Sequence, residues 1–438
     1  MKNYKSESLR FNLDMRLSIK PTFNQAETIR LLNVAGRDHL MIDIREAREE
    51  DRKSAVRVMW KAFEAPRSLG DVEKDEWIER WNRPEKEDWA YVAVDGDKVV
   101  ANMCFFASKP TNNIIRGKPL RFAGVWAVAT DPAYRNRGLI RELFKASFLR
   151  MHEEGTYLSI LDPFKRSFYE QFDYALGEKR ARHIFKHDQL RTGLTRKDIQ
   201  VHELLSSDDI RKVMEVERSM TRFGSRFLGS EEYIASLIKK GHFFLFEADS
   251  EPVGTVAFQF SEAHPMYNLV ALNTRYKYDD VFPSIVELVS NHSVNAAKIT
   301  WYTDYQVPVR HYFSDYSTTE SHIIGSMMMR VIDFEEYCKA IAIPKNSTKK
   351  VTIEVKDEYC SWNSATYLLT PNDGQLEVEK TNQVSDIKLN AFQLSEVISG
   401  VSPASMLRSQ NEISCSKEIA ADITAMFPED EFVSYIRF

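Results

Sequence analysis

The stretch Val128–Arg141, reading Val-Ala-Thr-Asp-Pro-Ala-Tyr-Arg-Asn-Arg-Gly-Leu-Ile-Arg, constrains this chain more than any other. An apolar strand runs from Leu120 to Ala129 and meets a turn at Asp131-Pro132. An Arg-x-x-Gly step (Arg135 to Gly138) follows, and then an amphipathic helix from Leu139 to His152. A strand that delivers a basic glycine turn to a helix start makes an anion cradle. The first amides of a helix have no internal acceptor, and the helix dipole adds partial positive charge there. Gly138 lets a phosphate approach the backbone, and Arg135, Arg137 and Arg141 add fixed charge. No Gly-Lys-Ser/Thr follows, which excludes a Walker loop, and a single glycine excludes a dinucleotide fingerprint.

The periodicity around the cradle gives a consistent order. A strand (Ile42–Arg45) precedes a helix carrying Ala55, Val58, Met59 and Ala62. Strands Trp89–Val94 and Val99–Ala107 meet at an Asp95-Gly96 hairpin turn. After the cradle helix come a strand (Tyr157–Leu161), a short helix (Ser167–Phe172) and a closing strand (Ala181–Lys186). The order then repeats: strand Ile199–Leu204, helix Asp208–Ser219, strands His242–Glu247, Val253–Phe260 and Tyr267–Leu272, helix Val281–Val294 and strand Lys298–Tyr302. Asn273-Thr274-Arg275-Tyr276-Lys277 replaces the glycine turn, so the expectation is a duplicated fold whose second cofactor site is lost. A third unit starts near Ser326 with a strand (Met327–Val331), a helix (Phe334–Ile341) capped by Asp333, and four short strands between Val351 and Asn390. Helices Gln393–Ser399 and Ser416–Met426 then lead to a terminal strand, Phe432–Phe438. The expected division is a leader, 1–40, and units at 41–190, 191–325 and 326–438.

A chain of 438 residues is too long for one core. The net charge of −5 argues against nucleic acid and against a polybasic membrane surface. No apolar run approaches the ~20 residues that span a bilayer, and no apolar signal core stands near the start. The cysteines (Cys104, Cys338, Cys360, Cys415) form no Cys-x-x-Cys pair, and the histidines show no metal-ligand spacing. A reduced, cytoplasmic, metal-independent protein is the expectation.

The glycine turn resembles the pyrophosphate-binding segment of GCN5-related N-acetyltransferases, Arg/Gln-x-x-Gly-x-Gly/Ala, with Ile140 at the last position. The β-α-β-β-β-α-β-α-β order of the first unit matches that fold. Two further segments are more specific, Phe168-Tyr169-Glu170-Gln171-Phe172-Asp173-Tyr174 and the chain end Ser434-Tyr435-Ile436-Arg437-Phe438. Together with tandem units and a sterol-carrier-like third unit, they resemble the Eis (enhanced intracellular survival) family over residues 41–438. The fold class implied is α+β: tandem acetyltransferase folds, each a mixed sheet flanked by helices, plus a C-terminal sterol-carrier-protein-like domain.

The resemblance implies acetyl-CoA as co-substrate, held along Val128, Ala129 and Thr130 and the turn residues Arg135, Asn136, Arg137, Gly138, Leu139, Ile140 and Arg141. It assigns Tyr169 as general acid and the free α-carboxylate of Phe438 as general base, and it implies a homo-oligomer, in the family a hexamer built from trimers. Phe164-Lys165-Arg166-Ser167 stands where the family is glycine-rich.

Acetyl transfer from a thioester has chemical needs that such groups meet. An alkylamine is mostly protonated at neutral pH and must lose a proton before it attacks. An α-carboxylate, with a reference pKa of ~3.5, is ionised throughout that range. Amides near Ala129 and Thr130 suit the developing oxyanion, and a tyrosine hydroxyl can protonate the leaving thiolate. Each role lowers a barrier by roughly 2–4 kcal/mol. No Cys/His or Ser/His pattern points to a covalent intermediate.

The expected function is direct N-acetylation of an amine on a small molecule, aminoglycosides included, or on a lysine. The alternative is a non-catalytic protein that binds CoA and an apolar ligand on the same scaffold. Phe168, Phe172, Tyr174 and Met327-Met328-Met329 read as packing residues. The acidic run Asp71, Glu73, Asp75, Glu76, Glu79 reads as a solvated helix face or as a surface that attracts a polycation.

Overall fold

The computed structural model describes residues 29–31, 42–63, 89–108, 113–206, 209–219, 225–227, 231–263, 266–315, 317–325, 327–430 and 432–434. The expected leader lies outside these residues, apart from strand Ile29–Leu31. The acidic run at 71–79 and Phe438 also lie outside them.

The first sheet has eight strands in the order 29–31, 42–46, 89–95, 98–107, 123–130, 158–161, 328–331, 175–176. All neighbours are antiparallel except Ala123–Thr130 and Leu158–Leu161, which run parallel. Side-chain alternation along each strand assigns the two faces. Ala90, Val92, Val94, Val99 and Cys104 pack with Val56, Met59 and Trp60 of helix Arg52–Phe63. Trp89, Ala93, Met103 and Phe105 pack with Leu139, Leu143, Phe144, Phe148 and Met151, the apolar stripe of helix Leu139–Glu153.

A seven-stranded second sheet repeats this plan, with strand Met266–Tyr276 parallel to Ala296–Asp304. The third sheet has four strands from Val351 to Asn390. A small fourth sheet joins Asn113–Ile115 and Lys118–Pro119 of the first unit, Ser225–Phe227 of the second and Phe432–Ser434 near the chain end.

Two strands depart from the division expected from chain order. Strand Lys179–Phe185, expected to close the first unit, pairs with Ala296–Asp304 and Glu320–Gly325 in the second sheet. Strand Met328–Val331, expected to open the third unit, pairs with Leu158–Leu161 and Ala175–Leu176 in the first. The physical reason is burial. Strand Leu158–Leu161 and strand Met328–Val331 are buried at every position, so each must satisfy its backbone against a buried neighbour. Periodicity reports that burial but does not name the neighbour. Helix Glu231–Lys240 and strand Glu320–Gly325 were not anticipated either.

The units meet at Gly400, which ends helix Ala391–Ser399 at φ 74°. A Cβ there would lie 2.7 Å from Arg116 Nη2 and 2.7 Å from the Asp430 amide. Arg116 is buried and donates to the carbonyls of Ile398 and Pro428. Gly400→Ala is therefore expected to cost about 2–4 kcal/mol through positive-φ strain and displacement of a buried arginine. Urea denaturation followed by fluorescence measures it, and a change within ~0.5 kcal/mol would contradict this packing.

Candidate active site

The central strand of the first sheet is hydrogen-bonded on both sides only at its start. Its parallel partner matches Ala123, Gly124 and Val125 and ends there. On the other side the register breaks between Asn102 and Cys104, and Ala127 takes φ 51°. This is a β-bulge, which bends the strand and re-aims its backbone. Asn102 is fully buried, and its Nδ2 donates to the Ala127 carbonyl at 2.8 Å. Residues 126–130 thus have no ladder partner on the parallel side and, Ala129 apart, are part-exposed; they form one arm of a V whose other arm is the segment leaving Leu161.

The cradle lies at the end of this strand. Asp131 turns the chain: its amide donates to the Val100 carbonyl, and its carboxylate accepts from the Ala133 amide. Burial raises the Asp131 pKa, but Lys61 at 2.8 Å, the Ala133 amide and Lys98 outweigh it and leave the carboxyl below its ordinary value. Asn136 (φ 62°) and Gly138 (φ 75°) are both left-handed, and Gly138 has no atom within 4 Å of where a Cβ would stand. The first bonds of helix Leu139–Glu153 run from the Arg141 and Glu142 amides to the Gly138 carbonyl. The Leu139 and Ile140 amides therefore project from the helix end. Arg135 and Arg141 are exposed, while Arg137 lies over the Tyr134 ring and donates to the Ala133 carbonyl. The open space at Gly138, the projecting amides and the unburied guanidinium groups suit a pyrophosphate.

Tyr169 stands on the other arm of the V. Strand Leu158–Leu161 leads through 162–165 into the short helix Arg166–Glu170. The Tyr169 ring is buried, 6.5 Å from Phe144 of the cradle helix and 5.6 Å from the exposed Phe164. Phe144 lies five residues into that helix, or ~7–8 Å of rise from its start. Burial first, and then Asp162, push the Tyr169 hydroxyl above its ordinary pKa. Tyr169 therefore keeps its proton across the neutral range. Phe168 and Tyr174 pack against it, and Phe172 packs on Phe168.

Sequence reading missed three features of this region. Asn102 props the bulge. The Trp126 indole N–H, at the base of the V, has no acceptor among the described residues. Arg330 is fully buried beneath the tyrosine helix. Only an arginine inside the apolar strand Met328–Val331 signalled the last of these.

The second sheet carries the same bulge at the matching place. Its register breaks between Thr255 and Ala257, Asn273 takes φ 50°, and parallel pairing stops at Ala271. There the V is filled. Arg275 is buried between Glu217 and Asp304, and Trp301 Nε1 donates to Thr274 Oγ1. Asp279 and Asp280 precede helix Phe282–His292 where the first unit has arginines.

Comparison with known proteins bears on this geometry. Residues 43–177 match the acetyltransferase (GNAT) domain family, and residues 334–433 match the sterol carrier protein domain family. Residues 43–177 thus form a GNAT acetyltransferase domain, and the fold of the chain is Eis-like. Eis1 from Mycobacterium abscessus superposes with a TM-score of 0.71 at 14% identity, covering 91% of this chain and 100% of that one. A GCN5-related N-acetyltransferase from Anabaena variabilis gives 0.76 at 16% identity (91% and 100% covered). Another from Kribbella flavida gives 0.74 at 18% (91% and 98%). No curated protein matches the sequence. A GNAT domain implies the use of acetyl-CoA. Among the described residues no helix is long and apolar enough to cross a membrane, and no His/Cys/Asp/Glu cluster could hold a metal.

Asp173, just past the tyrosine helix at φ 62°, supplies a pH test. Burial pushes its carboxyl up to about 6, against the pull of Arg330 at 3.5 Å. The folded state thus binds a proton more tightly than the unfolded chain, so stability falls as pH rises from about 4 to about 6. Above that window, ionised Asp173 is a net cost. Asn tolerates the left-handed backbone. Asp173→Asn should raise stability at pH 7.5 by on the order of 1–3 kcal/mol, a gain that disappears below pH ~4. Urea melts at the two pH values test it, and a loss at pH 7.5 would contradict the burial argument.

Proposed function

We propose that the first unit transfers the acetyl group of acetyl-CoA directly to a primary amine, with Tyr169 as proton donor and the Phe438 carboxylate as base. The acceptor class is an amine-bearing small molecule, an aminoglycoside among the candidates, or a lysine side chain. The observation that carries this reading is the open V of the central strand, with the Gly138 cradle at the end of one arm and a protonated, buried Tyr169 on the other.

Acetyl-CoA supplies an activated acyl group. The amides and arginines at 135–141 hold its pyrophosphate, and Val128, Ala129 and Thr130 flank its extended arm. Backbone N–H groups on the unpaired side of residues 126–130 are donors for charge that develops on the acyl oxygen. Tyr169 gives its proton to the leaving sulfur. In the chain, Phe438 comes four residues after Ser434, the last residue of a strand that pairs with Ser225–Phe227 of the second unit and through it joins Asn113–Ile115 of the first. With Arg275 and its carboxylates filling the second V, each chain takes one acetyl-CoA. We further propose a cytoplasmic homo-oligomer.

Recombinant protein should release CoA thiol when given acetyl-CoA with an amine panel of polyamines, aminoglycosides and a lysine peptide. Tyr169→Phe should lower kcat about 10²- to 10³-fold with little change in the KM for acetyl-CoA. Gly138→Ala should act in the opposite sense, weakening acetyl-CoA binding roughly tenfold or more because a Cβ occupies the phosphate approach. A residue added after Phe438 should abolish turnover while leaving CoA affinity intact. Full activity of such an extended chain would remove the carboxylate from the scheme. Calorimetric CoA binding without thiol release across the whole panel would favour a binding protein instead.

A further inference from the structure

We propose that Arg330, assisted by Tyr359, is a positioning residue for Tyr169: through it the third unit sets the turn that aims the phenol. The proposal rests on the reading of Tyr169 as proton donor.

Strand Met328–Val331 lies between Leu158–Leu161 and Ala175–Leu176. The segment 162–174, which carries Tyr169, therefore bridges two strands that do not touch each other. Its helix has five residues, too few to hold itself. Its carbonyl end needs outside donors, and two side chains from beyond residue 327 supply them. Arg330 Nε donates to the Phe172 carbonyl at 2.9 Å, and the Tyr359 hydroxyl donates to the Gln171 carbonyl at 3.1 Å. The remaining donors of Arg330 are engaged as well. Nη1 donates to the Val331 carbonyl and Cys360 Sγ, and Nη2 to Asp357 Oδ1 at 2.7 Å. Asp357 in turn accepts from the Tyr359 and Cys360 amides, which fixes the loop that presents Tyr359. The guanidinium lies 4.4 Å from the Phe148 ring centroid, on the cradle helix.

Stability alone is a poor reason for this arrangement. A buried ion pair often contributes less than an apolar filling of the same shape. What the guanidinium provides is direction. It bonds the carbonyl that precedes Asp173 and lies 3.5 Å from the Asp173 carboxylate, on both sides of a residue whose backbone is left-handed (φ 62°). That turn follows Tyr169 directly, and the Tyr169 carbonyl accepts from both the Phe172 and Tyr174 amides within it.

The test uses the full-length chain and two mild variants. Arg330→Lys keeps the charge and loses the planar fork, and Tyr359→Phe removes one hydrogen bond. Hydrogen exchange at residues 166–174, steady-state kinetics and thermal melts are measured together. Arg330→Lys should speed exchange in that segment and lower kcat about tenfold, with the KM for acetyl-CoA within about twofold. Tyr359→Phe should act in the same direction, about threefold, at an unchanged melting temperature. If Arg330→Lys does not fold, Tyr359→Phe decides alone. Unchanged exchange at 166–174, or unchanged kcat, in a folded variant overturns the proposal. Tyr169→Phe is the control that separates the two levels. If it loses turnover while the clamp variants keep theirs, the donor stands and the clamp is wrong. If Tyr169→Phe itself works like the wild type, the donor reading has failed and the proposal falls with it.

Discussion

A central strand that is paired on both sides for only part of its length governs this molecule. At Val125 its parallel neighbour ends, and at Ala127 the other ladder bulges. Backbone groups that a continuous sheet would consume are left facing a cleft. The two arms of that cleft then fix everything else. One arm runs through Asp131 into the glycine turn and the cradle helix. The other runs into the tyrosine helix. Because Phe144 and Tyr169 pack against each other across the gap, the arms hold a set separation and do not collapse together.

The duplicated unit shows what the constraint does and does not dictate. Its bulge at Asn273 and the end of its parallel pairing at Ala271 reproduce the same V. Arg275, Glu217 and Asp304 then fill it, and acidic residues stand at the following helix. Backbone geometry is thus common to both halves, whereas the capacity to hold an anion depends on a few side chains. The strand exchanges bind the halves together. Lys179–Phe185 leaves the first unit to complete the second sheet, and Met328–Val331 returns from near the start of the third to complete the first. The site is therefore not the property of one segment: removing the third unit would remove a strand from the sheet that carries Tyr169.

What the sequence made legible was local. Gly138 beside three arginines announces a helix start built for an anion, because glycine, charge and periodicity act within a dozen residues. The order of strands and helices in both halves was readable for the same reason. Nothing about alanine at 127 signals a positive φ; the bulge arises from how two strands register, with Asn102 supporting it from a strand twenty-five residues away. Nor does Met-Met-Arg-Val reveal that its arginine reaches the carbonyl of Phe172, a contact 158 residues apart in the chain. Strand partners were misassigned for a related reason: burial on both faces gives an apolar run without stating which sheet receives it. The role of Phe438 came from family resemblance alone, and that residue lies outside those described.

A crystal structure with CoA bound tests the account most directly. The account predicts the pyrophosphate on the amides between Arg137 and Arg141, the pantetheine arm beside Val128–Thr130, and the sulfur within hydrogen-bond reach of the Tyr169 hydroxyl. CoA seated in the second unit, or a sulfur separated from Tyr169 by packed side chains, would contradict it.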